Sequence, residues 1–349
     1  MVQEEFERIS TPELDNLAHI NEPGYLPTMT LQQLYDTSYE SKPALIDGLL
    51  YPGTYLFAGA PKVGKSFFMA QLAFHISTGQ KLWEYEVHKG RVLYLALEDS
   101  YQRIQKRMAR MFDVEETDLL HFAVFAKQMG NGLTEQLKAF VLQYPDTRLI
   151  IIDTLQKVRA ITGDGCSYGD DYQIVSQFKE FSDQYGVCIL LVHHTRKTTA
   201  GDKFQMISGT TGLLGSADGA FVMTKSDRAE EVAVLDMTGR DQADQRIYLR
   251  RNESRLVWDF DHEEKDAYKE PPDPLLTAIA KLITPEMPEW SGSATELLKT
   301  LGSDIPSNAL TKRLNVRADR LLNDYKIRYR NTHQRTGSSI QLTLEEESA

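Results

Sequence analysis

The eight residues Gly59-Ala60-Pro61-Lys62-Val63-Gly64-Lys65-Ser66 constrain this chain more than any other stretch, because they satisfy the pattern G-x-x-x-x-G-K-[ST] in full. Its glycines let backbone N–H groups turn inward around phosphate oxygens with no Cβ in the way, and a helix beginning there presents its positive N-terminus to them. Such a loop requires a strand before it and a helix after it. The chain supplies both, with an apolar run at 55–58 and a helix-like run at 67–76 that Phe67 opens. Lys65 is then placed to reach the β- and γ-phosphates and Ser66 to hold Mg²⁺.

Three further apolar runs read as strands buried on both faces of a parallel sheet. The run 91–97 ends at Glu98-Asp99, where α/β sheets bind their ligands at the carboxyl ends of strands. Two readings stand for this pair: Glu98 polarises a water attacking the γ-phosphate, or Asp99 and Ser100 cap the following helix at 101–111. The run 148–154 carries Asp153, which in phosphoryl-transfer sites holds the metal through its water shell. The run 187–192 ends in His193-His194; adjacent strand residues face opposite ways, so the pair does not suit one metal, but one of them is placed to contact the γ-phosphate. Helices at 134–143 and 172–185 separate these strands. The Gly-rich stretches 159–171 and 198–219 read as loops available for contacts, with Lys197 and Lys203 near the second. Strands at 219–224, 231–237, 245–250 and 255–258 extend the sheet in antiparallel fashion. Arg240 follows the second of them, either as a turn residue or as a finger offered to another subunit's nucleotide.

At 349 residues there is room for two or three domains. A formal charge of −11 excludes uniform coating of nucleic acid but not a local basic patch. Cys166 and Cys188 make neither a disulfide framework nor a zinc spacing, and no signal segment or membrane-length apolar run appears, so a cytoplasmic protein without membrane contact is expected. The expected organisation is an acidic N-terminal arm at 1–40, an ATPase domain at 41–260, a charged and Pro-rich linker at 261–274 and a small domain at 275–349. In the last, helices at 275–283, 294–301 and 307–322, with Ser307 as N-cap, precede strands at 327–331 and 339–344, a winged-helix order. Lys312, Arg313, Arg317 and Arg320 on the third helix, with Lys326, Arg328, Arg330 and Arg335 on the wing and few acids nearby, suggest a surface for phosphates.

From about residue 46 to 258 the chain resembles the RecA-like ATPases, and among them the RepA-type and DnaB-type hexameric replicative helicases of plasmids, phages and mobile elements. The resemblance rests on the loop from Gly59 to Ser66, the run ending in Glu98-Asp99, the run ending in Asp153, and Val192-His193-His194-Thr195-Arg196-Lys197. It implies a RecA-like twisted, mostly parallel sheet with an antiparallel extension. It also implies ATP and Mg²⁺ as ligands, Lys65 and Ser66 on phosphate and metal, Glu98 as catalytic base, Asp153 at the metal, and His194 as γ-phosphate sensor. By the same resemblance the chain forms a homo-oligomer, a hexamer for choice. The loops after Asp153 and His194 then face single-stranded DNA in a central channel, with the winged helix available to duplex. One position departs: RepA-type helicases carry their arginine finger after the segment that 216–221 resembles, where this chain has Phe221. The K-x-R of DnaB-type helicases is matched by Thr238-Gly239-Arg240 only in its Arg, so Arg240 is the expected finger. Two functions follow from the sequence: a ring-forming, ATP-hydrolysing DNA motor of replication or recombination, or an ATP-gated DNA-binding protein that does not unwind.

Overall fold

Leu149, Ile150, Ile151 and Ile152 are each fully buried, as a strand must be when sheet neighbours flank it and helices cover both faces. They belong to β4 (Thr147–Asp153), an inner strand of a nine-stranded sheet. The computed structural model describes residues 24–26, 28–39, 43–159, 168–195, 203–207, 211–225, 231–240, 242–265, 273–303, 305–334 and 337–345. Contacts divide the chain into two compact units, one within Pro43–Lys269 and one drawn from Met1–Lys42 and Glu270–Glu347.

In the larger unit the strands are β1 (Gly53–Gly59), β2 (Arg91–Ala96), β3 (Leu120–Ala123), β4, β5 (Cys188–His194), β6 (Gly219–Thr224), β7 (Val232–Gly239), β8 (Gln245–Arg251) and β9 (Trp258–Lys265). Their order is β3-β2-β4-β5-β1-β6-β7-β8-β9. Pairing is parallel from β3 to β6 and antiparallel from β6 to β9. This is the RecA-like sheet with its antiparallel extension. Successive side chains of β1 go to opposite faces: Tyr55 and Phe57 join one apolar core, Leu56 and Ala58 the other. Helices α2 (Lys65–Thr78) and α3 (Tyr101–Phe112) cover the first face, and α4 (Leu133–Gln143) and α6 (Tyr168–Tyr185) the second. The extension curls toward α2, since Met237, Leu249 and Trp258 join the same core as Phe68 and Met69.

The elements differ from the expected ones where pairing partners lie far away in sequence. Strand β3 carries no strand signal in its four residues and exists through its register with β2, Val92 opposite Leu120. Strand β9 runs to Lys265, so the charged residues 261–265 pair with β8 instead of linking domains. A sheet edge tolerates such charges. The stretch 198–219 contains a 3₁₀ turn, Lys203–Met206, and helix α7 (Thr211–Ser216). A one-turn helix, α5 (Leu155–Val158), follows Asp153, and residues 160–167 of the loop after it, like 196–202, lie outside the described residues.

The smaller unit holds α1 (Leu31–Asp36), α8 (Pro274–Leu282), β10 (Glu289–Ser293), α9 (Ala294–Leu301), α10 (Ser307–Val316), α11 (Ala318–Tyr325), β11 (Ile327–Gln334) and β12 (Gly337–Leu344). Strands β10-β12-β11 form an antiparallel sheet, and Leu276, Leu297, Leu310, Leu321, Tyr329 and Leu342 share its core. The helix expected over 307–322 breaks at Arg317, whose φ of −111° and ψ of 13° leave the helical region. Pro306, not Ser307, is its N-cap, and no side chain caps it. Among the described residues no helix is long and apolar enough to cross a membrane.

Candidate nucleotide site

The carboxyl ends of β1, β2, β4 and β5 meet at one edge of the sheet, and the expected site residues hang from them. Gly59 ends β1 and pairs with His194 in β5, while Asp153 at the end of β4 lies opposite Ala96 and Val192. A side chain at position 59 would meet the Met223 carbonyl at 2.6 Å, which requires glycine there. Gly64 has a φ of 112°, a conformation that L side chains resist, and its carbonyl accepts the N–H groups of Phe67 and Phe68 at 3.1 Å each. The loop from Gly59 therefore delivers the chain into the first turn of α2 with the free N–H groups at its mouth.

Lys65 is buried, and its ammonium donates to the carbonyls of Gly59 (2.8 Å) and Ala60 (3.1 Å). Burial lowers its pKa to about 8, against the opposing pull of Asp153 and Glu98. Its Nζ also lies 3.2 Å from His194 Nδ1. An ammonium can only donate, so Nδ1 accepts and the ring proton sits on Nε2. Burial, and then the Lys65 charge, hold the His194 pKa below its ordinary value, so this ring is neutral at neutral pH. His193 is buried on the other side of the strand, opposite Ala58.

The two carboxylates after β2 have separate surroundings. Asp99 is held by Arg103 (3.0 Å) and Arg107 (2.6 Å), and Ser100 Oγ caps α3 by accepting the Arg103 N–H. Glu98 is exposed and accepts from Thr154 Oγ1 at 3.4 Å. The Asp153 carboxylate is buried, accepts from Tyr94 Oη at 2.9 Å and is hydrogen-bonded by the Ser66 side chain. Burial raises its pKa, and those hydrogen bonds oppose the rise. A serine hydroxyl beside a carboxylate is a donor set that suits a hard divalent cation sharing its shell with water and phosphate oxygens, so the residues fit Mg²⁺. Sequence reasoning misses the parts played by Tyr94 and Thr154; a hydroxyl inside an otherwise apolar strand is the available signal for Tyr94.

Arg240 is not part of this cluster. It follows β7, whose Gly239 pairs with Gly219, whereas Met223 at the other end of β6 pairs with Gly59. Four strand residues, about 13 Å, thus separate its end of the sheet from the phosphate loop. There the Arg240 N–H donates to the Asp218 carbonyl and Nη2 to the Gly215 carbonyl at 2.9 Å. Phe221, where RepA-type helicases place a finger nearby, is buried in the core and touches Tyr55 and Phe57. Lys203 is paired with Asp236 at 2.7 Å, and Arg196 and Lys197 lie outside the described residues.

Four of the eight cations expected to form a basic surface near the C-terminus face acids. Lys312 pairs with Asp36 (3.4 Å), Arg317 with Asp273 (2.7 Å), Arg320 with Asp324 (3.1 Å) and Arg328 with Glu345 (2.6 Å). The expectation of few acids missed Asp324 and Glu345 within the segment, and Asp36 and Asp273, which come from distant parts of the chain. Arg313 and Arg330 are exposed, and Arg335 lies outside the described residues.

The sheet order, the phosphate loop and the convergence of Lys65, Ser66, Asp153 and Glu98 define a P-loop ATPase of RecA-like fold. A family model described as AAA domain matches residues 22–200, just over half of the chain, and the chain belongs to that family. No curated protein matches it significantly. Among solved structures it is similar to one described as an ATPase domain (14% identity, TM-score 0.50, 60% of this chain and 85% of that one). It is similar to the same degree to a DnaB-like replicative helicase described with its interactions with primase (14%, 0.50), covering 60% of this chain and 57% of that one. A KaiC-like protein, PH0186 from Pyrococcus horikoshii OT3, aligns at 14% identity over 64% of this chain and 98% of its own, with a TM-score of 0.46. At such identity the first two establish the fold alone.

Proposed function

We propose that this protein is a ring-forming motor that hydrolyses Mg-ATP between subunits and moves on or unwinds DNA, with 43–269 as its ATPase unit. The observation that carries the proposal is that the expected site residues stand at two ends of one sheet. Lys65, Ser66, Glu98, Asp153 and His194 sit at one end and Arg240 at the other, so Arg240 reaches a nucleotide only if another copy presents one. The fold shared with a DnaB-like replicative helicase supports a DNA motor over other uses of the same hydrolysis.

In this reading the loop N–H groups and the Lys65 ammonium, turned from the Gly59 and Ala60 carbonyls, bind the β- and γ-phosphates of the substrate. Ser66 and Asp153 would hold Mg²⁺, which would supply charge neutralisation for the phosphates. Glu98 takes the proton of the attacking water; Asp99 is engaged by two arginines and does not compete for it. The neutral His194 offers its Nε2 proton to the γ-phosphate and loses that contact on hydrolysis. The smaller unit, whose first strand lies between its helices α8 and α9 and whose other two strands follow the helices, serves as a winged-helix-like module that contacts duplex DNA.

Mass in solution with and without ATP and single-stranded DNA, measured alongside hydrolysis and strand separation, tests the whole reading. The expected result is a closed oligomer, a hexamer for choice, whose turnover rises with single-stranded DNA. Hydrolysis without stimulation or strand separation overturns the motor and leaves ATP-gated DNA binding. A monomer under every condition overturns the trans role of Arg240.

A further inference from the structure

Strand β9 is the far edge of the sheet, four strands from β1, yet its first residue lies against the phosphate loop. A Cβ built on Gly64 would stand 2.6 Å from Trp258 Cζ2 and 3.2 Å from Cε2, so the indole rests on the glycine's Cα. Its Nε1 donates to the Gly64 carbonyl at 3.4 Å, the same oxygen that closes the first turn of α2. The Trp258 backbone is clasped from the same helix: its N–H donates to Gln71 Oε1 at 2.8 Å, and Gln71 Nε2 donates to its carbonyl at 2.9 Å. Trp83 Nε1 donates to that carbonyl as well, at 2.7 Å. Gly64 and Gln71 are two helical turns apart on one face, so a single strand residue grips α2 at its opening and again about 10 Å along. Cations lie over the ring: Arg251 at 5.0 Å from the Trp258 centroid and 4.2 Å from Phe67, and Lys225 at 5.1 Å from Trp258. Arg251 Nη1 has no hydrogen-bond partner among the described residues, which leaves the two aromatic faces as its principal hold.

From this arrangement we propose that Trp258 is a positioning residue for nucleotide binding: it fixes the phosphate loop and the first turn of α2, and ties their geometry to the β8–β9 hairpin. A side chain that only filled the core would need burial, which Leu would nearly supply. It would need neither the indole N–H on the loop carbonyl nor the two-sided amide clasp. The proposal rests on the nucleotide reading of the site. It implies that MgATP affinity depends on Trp258 although this residue touches no phosphate, and that bound nucleotide alters the surroundings of the indole.

The test uses the full chain with MgATP and MgADP. Trp258→Phe keeps a ring on Gly64 and removes the N–H donor, which is expected to raise KM roughly three- to tenfold with little change in kcat. Trp258→Leu removes the ring and both cation contacts, and is expected to lower kcat/KM further. If it does not fold, Trp258→Phe and an emission measurement decide. With Trp83→Phe and Trp290→Phe in place, Trp258 is the one remaining tryptophan, and its emission is expected to shift when MgADP saturates the site. A wild-type chain that binds no MgATP sinks the nucleotide reading and this inference with it. Wild-type binding that folded Trp258 variants match, or a Trp258 emission indifferent to MgADP, sinks the inference alone.

Discussion

The phosphate-loop cation of the larger unit and the paired cations of the smaller unit's expected basic surface have opposite surroundings. In the larger one Lys65 is buried, lies on carbonyl oxygens and a neutral histidine, and among the described residues has no short contact to a carboxylate. Burial has already lowered its pKa, so an incoming polyphosphate recovers much of the interaction that water would otherwise have supplied. In the smaller one Lys312, Arg317, Arg320 and Arg328 each face an acid, so their charge is spent within the fold. The number of cations says little about anion binding, whereas the partner each one has says much. The smaller unit has instead a buried polar centre: Asn315 accepts from Tyr329 Oη at 2.8 Å and donates to the Tyr35 carbonyl at 2.9 Å, fastening α1 to α10.

The largest effect expected is from Lys65→Ala. It removes the buried cation of the phosphate loop, and the rate of phosphate release is expected to fall by roughly 10²- to 10³-fold, as for the loss of a principal transition-state donor. Retention of even a tenth of the wild-type rate would break the contrast. Next is Glu98→Gln, expected to cut kcat by about 10²- to 10⁴-fold while MgATP still binds, measured by turnover against equilibrium binding. Asp99→Asn serves as its counterpart, and a comparable loss there would reverse the roles given to the two carboxylates.

A smaller effect follows from pH. Phosphate binding favours charged Lys65, which in the free protein loses its proton around pH 8. Affinity is therefore steady below that pH and weakens by up to about tenfold per unit above it, with proton uptake on binding that calorimetry in two buffers detects. An affinity indifferent to pH between 7 and 9.5 would show that Lys65 is not buried in solution as it is here. Asn315→Leu strands the Tyr329 hydroxyl and is expected to cost the smaller unit about 1–3 kcal/mol in denaturant titration; no change would mean that water replaces both bonds. If the smaller unit meets DNA, removing Arg313 and Arg330 together lowers the salt slope of binding by about 2, and removing Lys312 and Arg320, already paired, leaves it unchanged.

Much of the site was legible in residue order. The loop from Gly59 to Ser66 is contiguous because a phosphate is bound by successive backbone N–H groups, and Asp153 and His194 each end an unbroken apolar run. Such runs read reliably because a strand buried on both faces is predominantly apolar. The neighbours that set the chemistry were not legible. Tyr94 on Asp153, Arg107 on Asp99 and Trp258 on Gly64 are 59, 8 and 194 residues apart, and only the pairing of strands brings the first and last together.

By itself, then, the sequence determined that a phosphate loop opens a helix after a buried strand, that three more buried strands follow, and that their ends carry Glu98, Asp153 and His194. Local backbone chemistry and burial suffice for that. Folding in three dimensions settled which cations keep their charge available, because a salt bridge depends on distance in space and Asp36 and Asp273 are remote in sequence from the residues they neutralise. It also decided that Arg240 stands at the opposite end of the sheet from its own phosphate loop, since strand direction and register, not residue order, set which end a residue occupies.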